Sequence, residues 1–191
     1  MPGRQAGVIV PSVLRLMLAQ TRHSRFPERD CVIVLLSVRA GLRAAEIAQL
    51  DWSMVLDARG QVGGTVTVRD TIAKKGSGRR IPMHPDLQRA LCVLKRQSES
   101  VGPVIRSARG GAMRPNSIVN WFVQLFVELG IPGCSSHSGR RTFITAAARN
   151  AHRAGCSLRD VQLLAGHRSI ETTQRYIDGD TDSQRKLVSL L

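Results

Sequence analysis

With 191 residues and 28 Lys and Arg against 14 Asp and Glu, a net charge of +14, the chain can bury an apolar core without covalent staples and calls for a polyanionic partner. Its four cysteines, Cys31, Cys92, Cys134 and Cys156, form no Cys-x-x-Cys pair, which argues against a zinc site or disulfide framework and predicts reduced, mostly buried thiols. The longest clean apolar run, Cys31 to Leu36, is too short to cross a bilayer, and the stretch from Val8 to Ala19, broken by Pro11 and Arg15, makes a poor secretory signal, so a cytoplasmic protein is expected.

In chain order, residues 1–7 read as a loose tail and 8–22 as an N-terminal helix, opened at Pro11 and carrying Val13, Leu14, Met17 and Leu18 on one side. Pro27 starts a second helix, apolar from Cys31 to Val38 and ended by Gly41, with a helical turn from Arg43 to Leu50 behind it. Between Trp52 and Pro82 the pattern shortens to Met54–Leu56, Val66–Val68 and Arg80–Pro82 among glycine-rich turns, which predicts a small three-stranded antiparallel sheet.

Helical spacing returns from His84 to Gln97 and from Pro115 to Leu129, with Gly102 to Pro115 as an exposed loop between them. Further helices are expected over Ser138 to Arg153, over Leu158 to Ala165, and from Ser169 after a turn at Gly166. A last one over 181–191 carries Leu187, Val188, Leu190 and Leu191 and is a candidate for exchange between subunits. The sum is an α+β chain, mostly helical, read as one domain over 1–191.

Among the basic residues only Lys74, Lys75, Lys95 and Lys186 are lysines, leaving 24 arginines, whose planar forks suit phosphate oxygens. Breaking a phosphodiester without metal needs a nucleophile, positive charge around the pentacoordinate phosphorus and an acid for the departing oxygen. Tyr176 is the sole tyrosine and stands nine positions after His167, while His137 and Arg140 share a face at the start of a helix whose N-terminus adds positive potential. Each feature has a plainer explanation: a half-buried aromatic, solvated helix charges, an i, i+3 ion pair between Arg43 and Glu46, a basic turn at Lys74 and Lys75.

Taken together, from Phe26 to Tyr176, these segments resemble the tyrosine recombinase (phage integrase) family. Gly41-Leu42-Arg43-Ala44-Ala45-Glu46 is similar to the family's first-arginine motif, with Glu46 as the acidic residue that orients the arginine. The turn from Ala73 to Pro82 looks like the hairpin that carries the catalytic lysine; counting back eight from Pro82 favours Lys74, with Lys75 the alternative. The resemblance implies the catalytic-domain fold and assigns Arg43 and Arg140 to the phosphate, His137 and His167 to hydrogen bonding or proton transfer, Lys74 to the leaving 5′-oxygen and Tyr176 to attack.

It further implies no metal or cofactor, a double-stranded DNA partner with specific sites, a homo-oligomer (a tetramer on paired sites) and accessory DNA-bending proteins. Arg79, Arg114, Arg141 and Arg168 adjoin the motifs and are candidates for DNA backbone contacts. Two departures stand out: Ser138-Gly139 occupies the place of a common Asp-Leu, and only 25 residues precede Phe26 where the family carries a helical DNA-clamping domain, as expected either of a compact form lacking most of that domain or of a truncated or defective integrase. The competing class is an inactive DNA-binding regulator that uses residues 157–175 as a helix-turn-helix.

Overall fold

In a computed structural model that describes residues 6–176 together with Arg185, Val188 and Ser189, the element order is α1 (Pro11–Thr21), α2 (Pro27–Arg39), α3 (Ala44–Ala48), β1 (Thr65–Val68), β2 (Arg79–Pro82), α4 (Pro85–Arg96), α5 (Pro115–Glu128), α6 (Ser138–Asn150), α7 (Leu158–Ala165) and α8 (Ile170–Gln174). The chain forms two compact units, residues 1–143 and 144–191, with the division inside α6. No helix among the described residues is long and apolar enough to cross a membrane. Of the predicted C-terminal helix over 181–191, all but Arg185, Val188 and Ser189 lies outside the described residues. The Ser189 amide donates to Arg185 O at 3.0 Å, one helical turn back.

Proline opens α1, α2, α4 and α5, where its missing N–H would have had no helical partner and its fixed φ suits the first turn. In the first unit α2 is the core: Val32 through Val38 are all buried, as a helix apolar on every side requires. It packs on α1 and on α4, whose Leu87 and Leu91 face inward, while α3 lies against α5. Along α5, Trp121, Phe122 and Phe126 form a run of ring contacts with centroids 5.0 and 6.1 Å apart. Gly7, expected in a loose tail, is tied down by its amide to Gly133 O at 2.9 Å.

Two glycines decide how closely α6 approaches α2. Gly41 takes a left-handed φ of +63° after α2, and a Cβ there would fall 2.9 Å from Phe143 Cγ. Gly139 lies against Ser37, whose Cβ would stand 2.8 Å from an added Cβ. Glycine in the departing Ser138-Gly139 pair therefore serves close packing of one helix on another.

The three-stranded sheet is a misreading. β1 and β2 pair antiparallel with Val66 opposite Ile81 and Val68 opposite Arg79, and no third strand joins them among the described residues. Met54–Leu56 fails as a strand because aspartates draw the backbone into turns. The Asp51 carboxylate accepts from the Ser53 amide at 2.9 Å and starts a 3-10 turn over Trp52–Met54, while Asp57 accepts from the Arg59 and Gln61 amides. Only a single bridge, Leu56 to Val62, survives.

Three smaller expectations also need correcting. The segment from Gly102 to Pro115 is not simply an exposed loop: Val104 donates to Leu50 O at 2.8 Å, and Val104 and Ile105 are buried, as an isolated bridge between Asp51 and Pro103 draws the chain inward. α6 stops at Asn150 rather than Arg153, giving way to a 3-10 turn over His152–Ala154 that Gly155 closes in the left-handed region. The cysteines are free thiols, but Cys31, Cys92 and Cys134 are only half-buried and Cys156 is exposed.

In the second unit Ser157 and Asp160 form a reciprocal cap at the start of α7, and Gly166, at φ 63°, ends it. The chain then turns back so that α8 packs on α7, with Val161, Ala165 and Thr173 buried.

Candidate active site

In the first unit the chemistry gathers around one carboxylate. Arg43 sits immediately before α3, and its backbone amide donates to Glu46 Oε2 at 2.9 Å, one half of a capping arrangement that fixes the helix start. Its guanidinium Nη1 donates to Glu46 Oε1, also at 2.9 Å. Arg79 completes the set with a bidentate fork, Nη1 to Oε1 and Nη2 to Oε2, both at 2.9 Å. Glu46 thus accepts four hydrogen bonds, about the full capacity of an ionised carboxylate.

This triad explains the state of Glu46. Burial pushes its carboxyl up, but the hydrogen bonds and charge of Arg79, followed by the Arg43 amide and charge, outweigh burial and lower it from 4.5 to about 2. One negative and two positive groups leave a net charge of +1. Arg79 is held inside, its side chain 3% exposed, whereas that of Arg43 is 21% exposed, so Arg43 is the outward face of the triad.

The position of Arg79 follows from strand alternation: Ile81 points into the core, so the residue two before it must as well. Its engagement with Glu46, rather than a position on the surface, is what sequence reasoning missed. The signal was present in the Arg79-Arg80-Ile81-Pro82 register.

α6 supplies the second arginine. Arg140 is 5% exposed, and its Nη1 donates to Gly41 O at 2.7 Å, two residues before Arg43. That bond ties the start of α6 to the turn carrying the first arginine, so Arg43 and Arg140 share a neighbourhood although 97 positions separate them in sequence. His137 lies exposed just ahead of α6, its amide 3.3 Å from Ser135 Oγ. Arg141, next along, is half-buried, and Arg114 is exposed at the start of α5.

Lys74 and Lys75 are both exposed on a 3-10 turn that leads into β2, with Lys75 in the left-handed region at φ 61°. The turn is pinned from both sides. Ser77 Oγ donates to Lys74 O at 2.8 Å, and the Gly78 amide donates to Asp70 Oδ1 at 2.8 Å. Either lysine thus rides on a defined loop whose following strand begins with Arg79.

The second unit holds the phenol and an imidazole. The rings of His167 and Tyr176 stack with centroids 5.7 Å apart and planes 25° from parallel. Nδ1 of His167 shares a 3.0 Å hydrogen bond with Thr173 Oγ1, and Thr173 is fully buried. Gln162, 3% exposed, donates through Nε2 to His167 O at 2.9 Å, accepts the His167 amide on its backbone carbonyl at 3.1 Å, and takes Arg159 on Oε1 at 2.8 Å. The Gly166 turn is therefore locked at both backbone and side chain. Tyr176 is half-buried at the end of α8, its amide donating to Thr173 O at 3.1 Å, and Arg168 is exposed. Gln162 and Thr173 had no signal beyond their place beside the Gly-His turn.

Comparison with known proteins identifies the family and the fold. The model of the phage integrase family matches residues 8–182. Tyrosine recombinase XerC of Rhizobium meliloti (strain 1021) is 30% identical over 160 residues, 80% of this chain and 46% of that protein, and XerC of Mesorhizobium japonicum is 30% identical over 158 residues, 80% of this chain and 47% of that protein. The chain spans about half the length of the curated relatives it matches.

A crystal structure of XerA recombinase superposes with a TM-score of 0.73 at 21% identity, over 100% of this chain and 65% of that one. The integrase of transposon Tn1549, solved in complex with a circular intermediate DNA, gives a TM-score of 0.76 at 15% identity, over 100% of this chain and 67% of that one. Identities this low speak for fold alone, and that fold is the tyrosine recombinase catalytic domain. A family model spanning almost the whole chain goes further than fold, and the chain belongs to the phage integrase family.

Proposed function

We propose that the chain is the catalytic part of a site-specific DNA recombinase that acts on double-stranded DNA. The Tyr176 oxygen attacks the scissile phosphorus, passing its proton to an imidazole, His137 or His167, as the P–O bond to tyrosine forms. The P–O5′ bond breaks, and Lys74, with Lys75 as the alternative donor, delivers a proton to the departing oxygen. The products are a 3′-phosphotyrosyl link and a 5′-hydroxyl; attack by another strand's 5′-hydroxyl reverses the step, so the bond energy is conserved and no ATP is consumed. Arg43 and Arg140 neutralise the non-bridging oxygens as charge builds in the transition state, with His137 and His167 hydrogen-bonding the phosphate or assisting proton transfer. The protein works in the cytoplasm as a homo-oligomer on paired sites, with Arg114, Arg141 and Arg168 against the DNA backbone.

One observation carries this reading: Arg140 reaches the carbonyl two residues before an Arg43 that Glu46 already orients, which suits two guanidinia to a single phosphate. The test uses nicked, end-labelled duplexes from the DNA adjoining the coding sequence. An SDS-stable protein–DNA adduct is expected with the parent and absent with Tyr176→Phe, while both proteins retard the duplex in a gel. An adduct that persists in Tyr176→Phe rules the assignment out.

A further inference from the structure

A buried guanidinium is a costly way to hold a hairpin. Two opposite charges withdrawn from water give little net stability over apolar side chains of the same size, and position 79 faces the core beside Val68 and Ile81, where a branched aliphatic residue would pack well. The reason for an arginine there lies in what Glu46 does to Arg43. Without Arg79 the two would form a closed pair of zero net charge, and Arg43 would meet a phosphate already neutralised. With Arg79, one carboxylate is divided between two guanidinia, Oε1 receiving Nη1 of each at 2.9 Å. The surplus positive charge is carried on the side that remains in reach of an anion, since Arg43 is 21% exposed and Arg79 3%.

We propose that Arg79 is a positioning residue for strand cleavage: it takes up the charge of Glu46, so that Arg43, oriented by the same carboxylate, presents a net positive charge to the scissile phosphate. The inference rests on the phosphotyrosyl chemistry proposed above. Glu46 stays ionised throughout any working pH, so this division of charge is permanent rather than switched.

Single-turnover adduct formation on the nicked duplex at saturating protein tests it. Arg79→Met is expected to slow cleavage roughly 100-fold, the loss associated with one transition-state donor, while leaving DNA affinity within about threefold. Arg79→Lys, which keeps the charge and loses the fork, stays within about tenfold of the parent. Replacing the scissile phosphate by an uncharged methylphosphonate separates charge from mere loosening, because its pentacoordinate state carries one negative charge fewer and needs less counter-charge. On that substrate the Arg79→Met deficit should shrink to about fivefold or less.

An equal deficit on both substrates overturns the proposal, as do a methionine variant at the parental rate and a lysine variant as slow as the methionine one. If Arg79→Met fails to fold, Arg79→Lys, which retains the net charge of the parent site and leaves Glu46 in place to orient Arg43, carries the test; a folded lysine variant that cleaves more than about tenfold slower than the parent overturns the proposal. A parent that forms no adduct on any duplex instead defeats the underlying reading, and this inference with it.

Discussion

Consider the replacement of Glu46 by glutamine. The lowering of its carboxyl from 4.5 to about 2 means that the folded state binds the carboxylate in preference to the acid by about 3 kcal/mol, at about 1.4 kcal/mol for each tenfold in acidity. Glutamine keeps the volume but loses the charge, turns an acceptor into a donor facing two guanidinia, and leaves the buried Arg79 without its counter-ion. Breaking a buried pair from one side costs about 3–5 kcal/mol, which agrees with the linkage figure. With a urea slope of about 2 kcal/mol per molar, the unfolding midpoint of Glu46→Gln should fall by about 1.5 M at pH 7.

The pH dependence gives a sharper check. A lowered carboxylate contributes in full above its unfolded value near 4.5, and that contribution is lost as pH falls through about 2. The gap between parent and variant should therefore hold from pH 7 to about 5 and close progressively below that. Urea titrations followed by tryptophan fluorescence at several pH values measure it, since Trp52 is buried. A gap that does not change with pH would refute the electrostatic account, and a midpoint shift under about 0.5 M would refute the high cost of leaving Arg79 buried without its counter-ion.

Other perturbations follow from the same geometry. Gly139→Leu should destabilise by about 1–3 kcal/mol in urea titrations because a side chain there meets Ser37, and Ser37→Gly should recover part of the loss; an unaffected Gly139→Leu would mean that α6 does not press on α2. Thr173→Val removes the hydroxyl that holds His167 Nδ1, and about a tenfold slower adduct with unchanged DNA retention is expected. Ser157→Ala should cost about 1 kcal/mol by loss of the α7 cap, read by hydrogen exchange across residues 158–165. DNA affinity should fall roughly a thousandfold between about 50 and about 200 mM salt, and a flat response would contradict a multi-arginine phosphate contact.

Much of the architecture was legible because local chemistry decides it. Proline at the first turn placed the starts of α1, α2 and α5 to the residue, and Gly41 and Gly166 marked ends that need a left-handed φ. Val66, Val68 and Ile81 likewise take the buried face that period-two alternation assigns them. Met54–Leu56 misled because a short apolar stretch reads alike in a strand and a tight turn, and the flanking Asp51 and Asp57 settle the matter by hydrogen bonds to nearby amides. The roles of the candidate site residues were carried by motif order, and remain to be tested by the substitutions above.

By itself, then, the sequence determined where helices begin, which residues carry charge, and that a lone phenol follows a Gly-His turn in a strongly basic chain. Only tertiary structure decided which charges meet: Arg79 belongs to Glu46 across 33 positions, and Arg140 to the Gly41 carbonyl across 99. The physical reason is range. Turn and cap preferences act within a few residues, whereas the partner of a buried cation is chosen by how helices and strands stack, and by the high cost of leaving that cation without an acceptor.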